Sequence, residues 1–152
     1  MSKQPSSSLV QNRRAFHHYS FEQRIEAGVV LVGCEVKSIR QGQANLQESY
    51  ASFKEGELWL HNCHINPFKE GNRFNPEPIR PRKLLLHKKE LQKLEVKLSR
   101  QPLNLIPLRL YISKNKVKIE LGLGKSKKMF DKRKALKERS IDKEVRRQFK
   151  QR

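Results

Sequence analysis

Two alternating apolar segments, separated by three polar residues, constrain this chain more than any other feature. From Leu105 to Ser113, Leu108, Leu110 and Ile112 alternate with Arg109 and Tyr111. From Val117 to Leu123, Val117, Ile119, Leu121 and Leu123 alternate with Lys118, Glu120 and Gly122. A period of two puts each apolar set on one face of a strand, and Lys114-Asn115-Lys116 supplies a polar turn to close a hairpin. A lone hairpin is marginal in water, so its apolar face demands further strands or a helix.

The rest of the chain supplies both. Tyr19 to Glu26 alternates loosely, as a half-buried strand does, and Gly28 leads into the apolar run Val29 to Val32, which ends at Gly33. Glu35 to Arg40 predicts a short helix with Val36 and Ile39 on one face, stopped by Gly42. Tyr50 to Lys54 and Leu58 to Ile65 predict strands about the turn Glu55-Gly56-Glu57. Residues 66–81 hold four prolines and one glycine, the composition of an extended loop. Lys83 to Arg100 predicts a helix with Leu84, Leu91, Leu94 and Leu98 on one face, ended by Pro102. Short strands broken by one or two helices make the chain mainly β with a few helices, an antiparallel barrel or sandwich.

Charge decides what such a fold can do. The 152 residues carry 34 Lys and Arg against 15 Asp and Glu, a net charge of +19. That exceeds any need of solubility and is the electrostatic footprint of a polyanion-binding surface. From Lys125 to Arg152 there are 13 basic and 4 acidic residues, so almost half the net charge sits in 28 residues. Such a segment repels itself and is expected to be loose until a polyanion binds. Its apolar residues Ile141, Val145 and Phe149 have helical spacing, enough to fold against a partner and too little to fold alone. We therefore expect a disordered leader over 1–11, an RNA-binding barrel over 12–124 and a basic tail over 125–152.

Other functions lack support. Met1 to Gln11 is polar and serine-rich, unlike a secretory signal, and no window approaches a membrane span, so a cytoplasmic, membrane-free protein is expected. Cys34 and Cys63 are too few for a disulfide framework and fit a reducing compartment. His61, Cys63, His64 and the pair His17-His18 lack any Cys-x-x-Cys or His-Glu-x-x-His context, so no metal is expected. No phosphate loop, dinucleotide-binding glycine pattern or serine elbow is present. We expect no cofactor and no catalytic residue; a metal-dependent nuclease would need clustered carboxylates, which are scattered here.

The cations of the body fall at element ends and loops: Arg13 and Arg14 beside Asn12, then Lys37, Arg40, Arg80, Arg82, Lys83, Lys88 and Lys89. Flat rings lie close by at Phe16, His17, Tyr19, Phe74 and His87. Cations attract phosphates while rings accept unstacked bases, the combination a folded RNA requires. In the tail, Lys125, Lys127 and Lys128 precede Phe130, whose ring can stack on a base or pack back on the body.

Five blocks then occur in order: Ile25-Glu26-Ala27-Gly28, Glu35 to Arg40, Gly71 to Asn75, Arg80 to His87, and Lys127 to Arg133. Together they resemble the SmpB family of transfer-messenger RNA-binding proteins, over roughly Asn12 to Arg152. The resemblance implies an oligonucleotide-binding-like antiparallel barrel with a flexible basic C-terminal tail, helical on the ribosome. It implies a protein, monomeric when free, that binds the tRNA-like part of transfer-messenger RNA and delivers it to stalled ribosomes for trans-translation. The body would stand in for a missing anticodon arm, and the tail would enter the small-subunit decoding region. By motif, Asn12, His17, Glu26, Lys37, Arg40, Lys83 and His87 would face RNA. Arg13, Arg14, Arg82 and Lys88 join them on charge. Glu26 would accept hydrogen bonds from base or ribose donors or orient cations. Asp131, Lys132 and Arg133 would work in the decoding site. The competing expectation is a ribosomal protein that holds ribosomal RNA permanently. Ser126 replaces a usual glycine and Phe130 a usual Tyr or His. Gly122 and Gly124 stand where alanine is frequent, which predicts a looser end to the last strand.

Overall fold

The computed structural model describes residues 8–69 and 75–127. In chain order the elements are β1 (Ser8–Gln11), α1 (Ala15–His18), β2 (Tyr19–Val29), α2 (Gly33–Arg40), β3 (Ala44–Asn45), β4 (Tyr50–Lys54), β5 (Glu57–His61), β6 (His64–Ile65), β7 (Arg82–Leu85), α3 (Lys88–Arg100), β8 (Asn104–Ser113) and β9 (Lys116–Ser126). The main sheet runs β1-β8-β4-β5-β7-β2-β9, and β9 pairs again with β8. Thus β8, β4, β5, β7, β2 and β9 close into an antiparallel barrel, with β1 paired to β8 at Arg109 to Tyr111, on the edge opposite β9 and beyond the β4 pairing at Leu105. Closure removes the exposed edges that an open sheet leaves.

The β8–β9 hairpin forms as its alternation predicts, with Ser113 opposite Lys116. The two turn residues, Lys114 and Asn115, have φ of 51° and 63°. Positive φ at both positions matches a turn to the right-handed twist of the strands. Glu55 and Gly56 close β4 and β5 in the same way, at 54° and 77°. Inside the barrel, Leu121, Leu123, Ile119, Leu58, Leu60, Leu84 and Leu110 are at most 1% exposed. Each such side chain contributes about 1.5–3 kcal/mol by leaving water. Ile39 of α2 is buried with them, while Leu91, Leu94 and Leu98 of α3 pack on the same core.

Four expectations change. Ser8–Gln11, assigned to the leader, is a strand paired with Arg109 to Tyr111 of β8. Its partner lies about a hundred residues away, and its own composition is polar. The predicted helix from Lys83 instead starts at Lys88, and Arg82–Leu85 is a strand between β5 and β2. Alternation wins there, because Arg82 and Leu84 face inward opposite Leu60 and Leu58 while Lys83 and Leu85 face out. The predicted strand Leu58 to Ile65 is interrupted at Asn62, whose φ is 60°, and its last two residues join β3 in a separate pairing. Finally, β9 does not loosen at its glycines but continues to Ser126 opposite Tyr19. The ring of Phe21 lies over them: a Cβ on Gly122 would stand 2.6 Å from Phe21 Cδ1, and one on Gly124 would stand 2.3 Å from Ser20 O.

Candidate nucleic-acid interface

A groove of about 880 Å³ runs along the outer wall of the barrel between β2 and α3. Strand β2 supplies Arg24, Glu26 and Gly28, while β7 and the turn after it supply Leu85 and His87. Lys93 and Lys97 come from α3 and Lys118 from β9. The alternation of β2 explains this placement, since Ala27 points into the core and Glu26 and Gly28 point out. Gly28 pairs with Leu85, and a Cβ on it would come within 3.3 Å of Leu85 Cβ, so the missing side chain keeps the floor low. Leu85 is 51% exposed, an apolar shelf among charges. His87 occupies the position preceding the first turn of α3, where backbone N–H groups are unpaired. Four Lys and Arg line the groove with Glu26 and Glu90; Arg24 also pairs with Glu120 and Lys97 with Glu22, which leaves Lys93 and Lys118 as its cations without a partner ion among the described residues.

Glu26 is held from below. Its Oε2 accepts a hydrogen bond from the hydroxyl of Tyr111 on β8. Burial first, then the Glu26 hydrogen bond and charge, push the Tyr111 phenol well above its ordinary value. The phenol therefore stays protonated and donating at neutral pH.

Of the residues expected at the interface, Glu26 and His87 share this groove. Lys88 is exposed as the first residue of α3. Lys83 lies on the outer face of β7, its Nζ 3.0 Å from Glu57. Lys37 and Arg40 form a second exposed basic patch on α2, where Lys37 Nζ lies 5.4 Å from the Phe68 ring centroid. Arg13, Arg14 and His17 are exposed around α1. That region also receives the end of β9: Lys127 N donates to His18 O at 2.8 Å, and Lys127 Nζ to Phe16 O at 3.3 Å. Phe16, 43% exposed, carries the Arg24 guanidinium 5.3 Å from its ring centroid. Lys125 is exposed on β9. Lys128, Phe130, Asp131, Lys132 and Arg133 lie outside the described residues.

Two assignments are corrected. Asn12 is 4% exposed, and its Nδ2 donates to Leu46 O and Pro107 O, so it ties the entry of α1 to β8. Arg82 has no exposure at all. Its Nε donates to Glu35 Oε2 at 2.6 Å, and its other nitrogens donate to the carbonyls of Cys63, Arg80 and Pro78. Burial alone would raise the Glu35 carboxyl. Hydrogen bonds from Arg80 and the Val32 N–H, with the Arg82 charge, outweigh it and hold Glu35 below its ordinary value. Arg82 is thus a clamp joining α2, β7 and the loop before β7. Conversely, Leu85 and Lys118 line the groove, and Tyr111 lies behind Glu26; all three escaped sequence reasoning, because only strand register brings them there.

A closed antiparallel barrel with a cation-rich groove on its wall defines a nucleic-acid-binding barrel protein. Comparison with known proteins narrows the class. The family model described as SmpB protein matches residues 9–151, and the chain belongs to that family. An SsrA-binding protein of Staphylococcus carnosus is 47% identical over 99% of this chain and 96% of its own length. One from Desulforudis audaxviator is 48% identical over 95% of each. A solved structure of tmRNA–SmpB in the bacterial ribosome superimposes with a TM-score of 0.66 at 44% identity, covering 80% of this chain and 86% of that one.

Proposed function

We propose that this protein binds transfer-messenger RNA and delivers its tRNA-like part to stalled ribosomes, beginning trans-translation. The observation that carries this is the groove in which Glu26 and His87 meet Lys93, Lys97 and Lys118 on the barrel wall. Its cations hold phosphates, and its exposed Leu85 and His87 offer flat and apolar surface to an unstacked base. Family membership and the ribosome-bound structural neighbour support the same reading.

The protein acts by binding alone, in the cytoplasm and transiently on the ribosome, with the barrel on one RNA and the basic tail on the other. The α2 patch and the α1 region with Arg13, Arg14 and His17 extend the body's RNA surface. Lys125 and Lys127 start the ribosome-directed tail, in which Lys128, Phe130, Asp131, Lys132 and Arg133 enter the decoding region.

Binding of the full chain to transfer-messenger RNA is compared with binding to a same-length unrelated structured RNA across a salt series. Counterion release weakens both as salt rises. Preference for transfer-messenger RNA that persists at high salt supports shape-specific recognition. Equal affinities and parallel release would overturn it.

A further inference from the structure

The outer face of β2, β9 and β8 carries a connected row of side chains whose end is the groove carboxylate. Glu120 sits opposite Glu26 in the β2–β9 register, a juxtaposition that would repel if both charges were bare. It is neutralised from two sides: Arg24 Nη1 lies 3.3 Å from its Oε1, and Arg109 Nε donates to its Oε2 at 2.9 Å. The Arg109 guanidinium in turn stands 4.3 Å from the Tyr111 ring centroid and also donates to Ser8 Oγ at 3.2 Å. Tyr111 is 4% exposed, packed in place on the sheet, and its hydroxyl donates to Glu26 Oε2. A hydroxyl donating to a carboxylate is a charge-assisted bond, among the stronger kinds.

We infer that Tyr111 is a positioning residue for RNA recognition: its buried hydroxyl fixes the Glu26 carboxylate in the groove, leaving the second oxygen to accept from a ribose hydroxyl or base amino group. This rests on the reading of the groove as the RNA surface. A glutamate on an exposed strand face otherwise samples many rotamers, and a ligand must freeze them on binding. With Tyr111 in place that ordering is done in the free protein. The benefit goes to RNAs that place a donor at Glu26, so Tyr111 contributes to selectivity more than to overall affinity.

Tyr111→Phe, Glu26→Ala and the double variant are made in the full chain. Affinities for transfer-messenger RNA and an unrelated structured RNA are measured well below the melting temperature of each. Phenylalanine fills the same site and lacks only the hydroxyl, and circular dichroism melts verify that it folds. The expected result is a selectivity ratio reduced by about three- to tenfold in Tyr111→Phe, the range set by freeing one rotamer-rich side chain. Glu26→Ala should lose at least as much, and the double variant should lose no more than Glu26→Ala. An unchanged ratio in Tyr111→Phe alongside a fall in Glu26→Ala overturns the positioning role and leaves the groove intact. Losses that add in the double variant also overturn it, because Tyr111 would then act apart from Glu26. An unchanged ratio in Glu26→Ala overturns the groove reading, and the positioning role with it.

Discussion

Replacing Arg82 with methionine separates a clamp of the fold from a contact to RNA. The guanidinium has no exposure, and its partner Glu35 is 2% exposed. Removing one member of a buried ion pair costs about 3–5 kcal/mol, because the other charge stays out of water uncompensated. The carbonyls of Cys63, Pro78 and Arg80 also lose a donor. Arg80 still reaches Glu35 and offsets part of the loss, so we expect a decrease of about 4 kcal/mol at pH 7 in urea denaturation. For a barrel of this size that corresponds to a fall in melting temperature of roughly 10–25 °C.

The pH dependence is the sharper test of this arrangement. In the parent, Glu35 titrates below its ordinary value of 4.5. Its contribution is full above that value and is lost as pH falls through the lowered one. In the variant the Arg82 charge and hydrogen bond are gone while those from Arg80 and the Val32 N–H remain, so Glu35 titrates higher than in the parent and its contribution is lost at a higher pH. The stability gap should therefore be full at neutral pH and narrow as pH falls through the carboxylate range, where Glu35 of the variant takes up its proton before that of the parent. A gap below about 1 kcal/mol at pH 7, within reach of ordinary surface substitutions, would refute the clamp. A gap that stays constant with pH would refute the charge argument. Adding Glu35→Leu should restore part of the loss, and RNA binding of the folded variant should match the parent.

Two further outcomes follow from the junction and the thiols. Ending the chain after Lys127 should preserve barrel stability and transfer-messenger RNA binding while abolishing rescue in a reconstituted translation assay. Ending it after Gly124 also removes the Ser126 pairing with Tyr19 and the Lys127 bond to His18. At about 0.5–1.5 kcal/mol per hydrogen bond, the shorter form should melt measurably lower, and equal melts would disprove the tether. A thiol reagent at neutral pH should label Cys34, which is partly exposed. Cys63, 1% exposed with its thiol pushed up to about 11 by burial, should react only on unfolding, and labelling of both in the native protein would contradict the packing.

Most of the barrel is legible where alternation is clean and the turn is local. The β8–β9 hairpin, the β4–β5 turn and helix α2 all follow from neighbours in sequence. Strand β7 is not legible, because Leu84-Leu85-Leu86 fits either period and only pairing with β5 and β2 selects the strand. The same limit hides β1, whose partner is β8. Site residues divide likewise. The family resemblance singles out Glu26 and His87, whereas Lys118 and Leu85 line the same groove through register, with Tyr111 behind Glu26. Asn12 and Arg82 look like surface polar groups until their distant carbonyl and carboxylate partners are in place.

The seam of the barrel has a mechanical consequence. Strand β9 is flanked by β2 on one side and β8 on the other, and the chain continues from its end past Lys127. Hydrogen bonds in antiparallel ladders stand perpendicular to the strands. A pull on the following segment is directed along β9 and shears both ladders at once instead of peeling them bond by bond. The bonds from Lys127 to Phe16 and His18 take up slack first. Whatever grips the segment beyond Lys127 is thereby coupled to the whole cylinder, and an RNA seated on the barrel wall moves with it as cargo on a rigid hook.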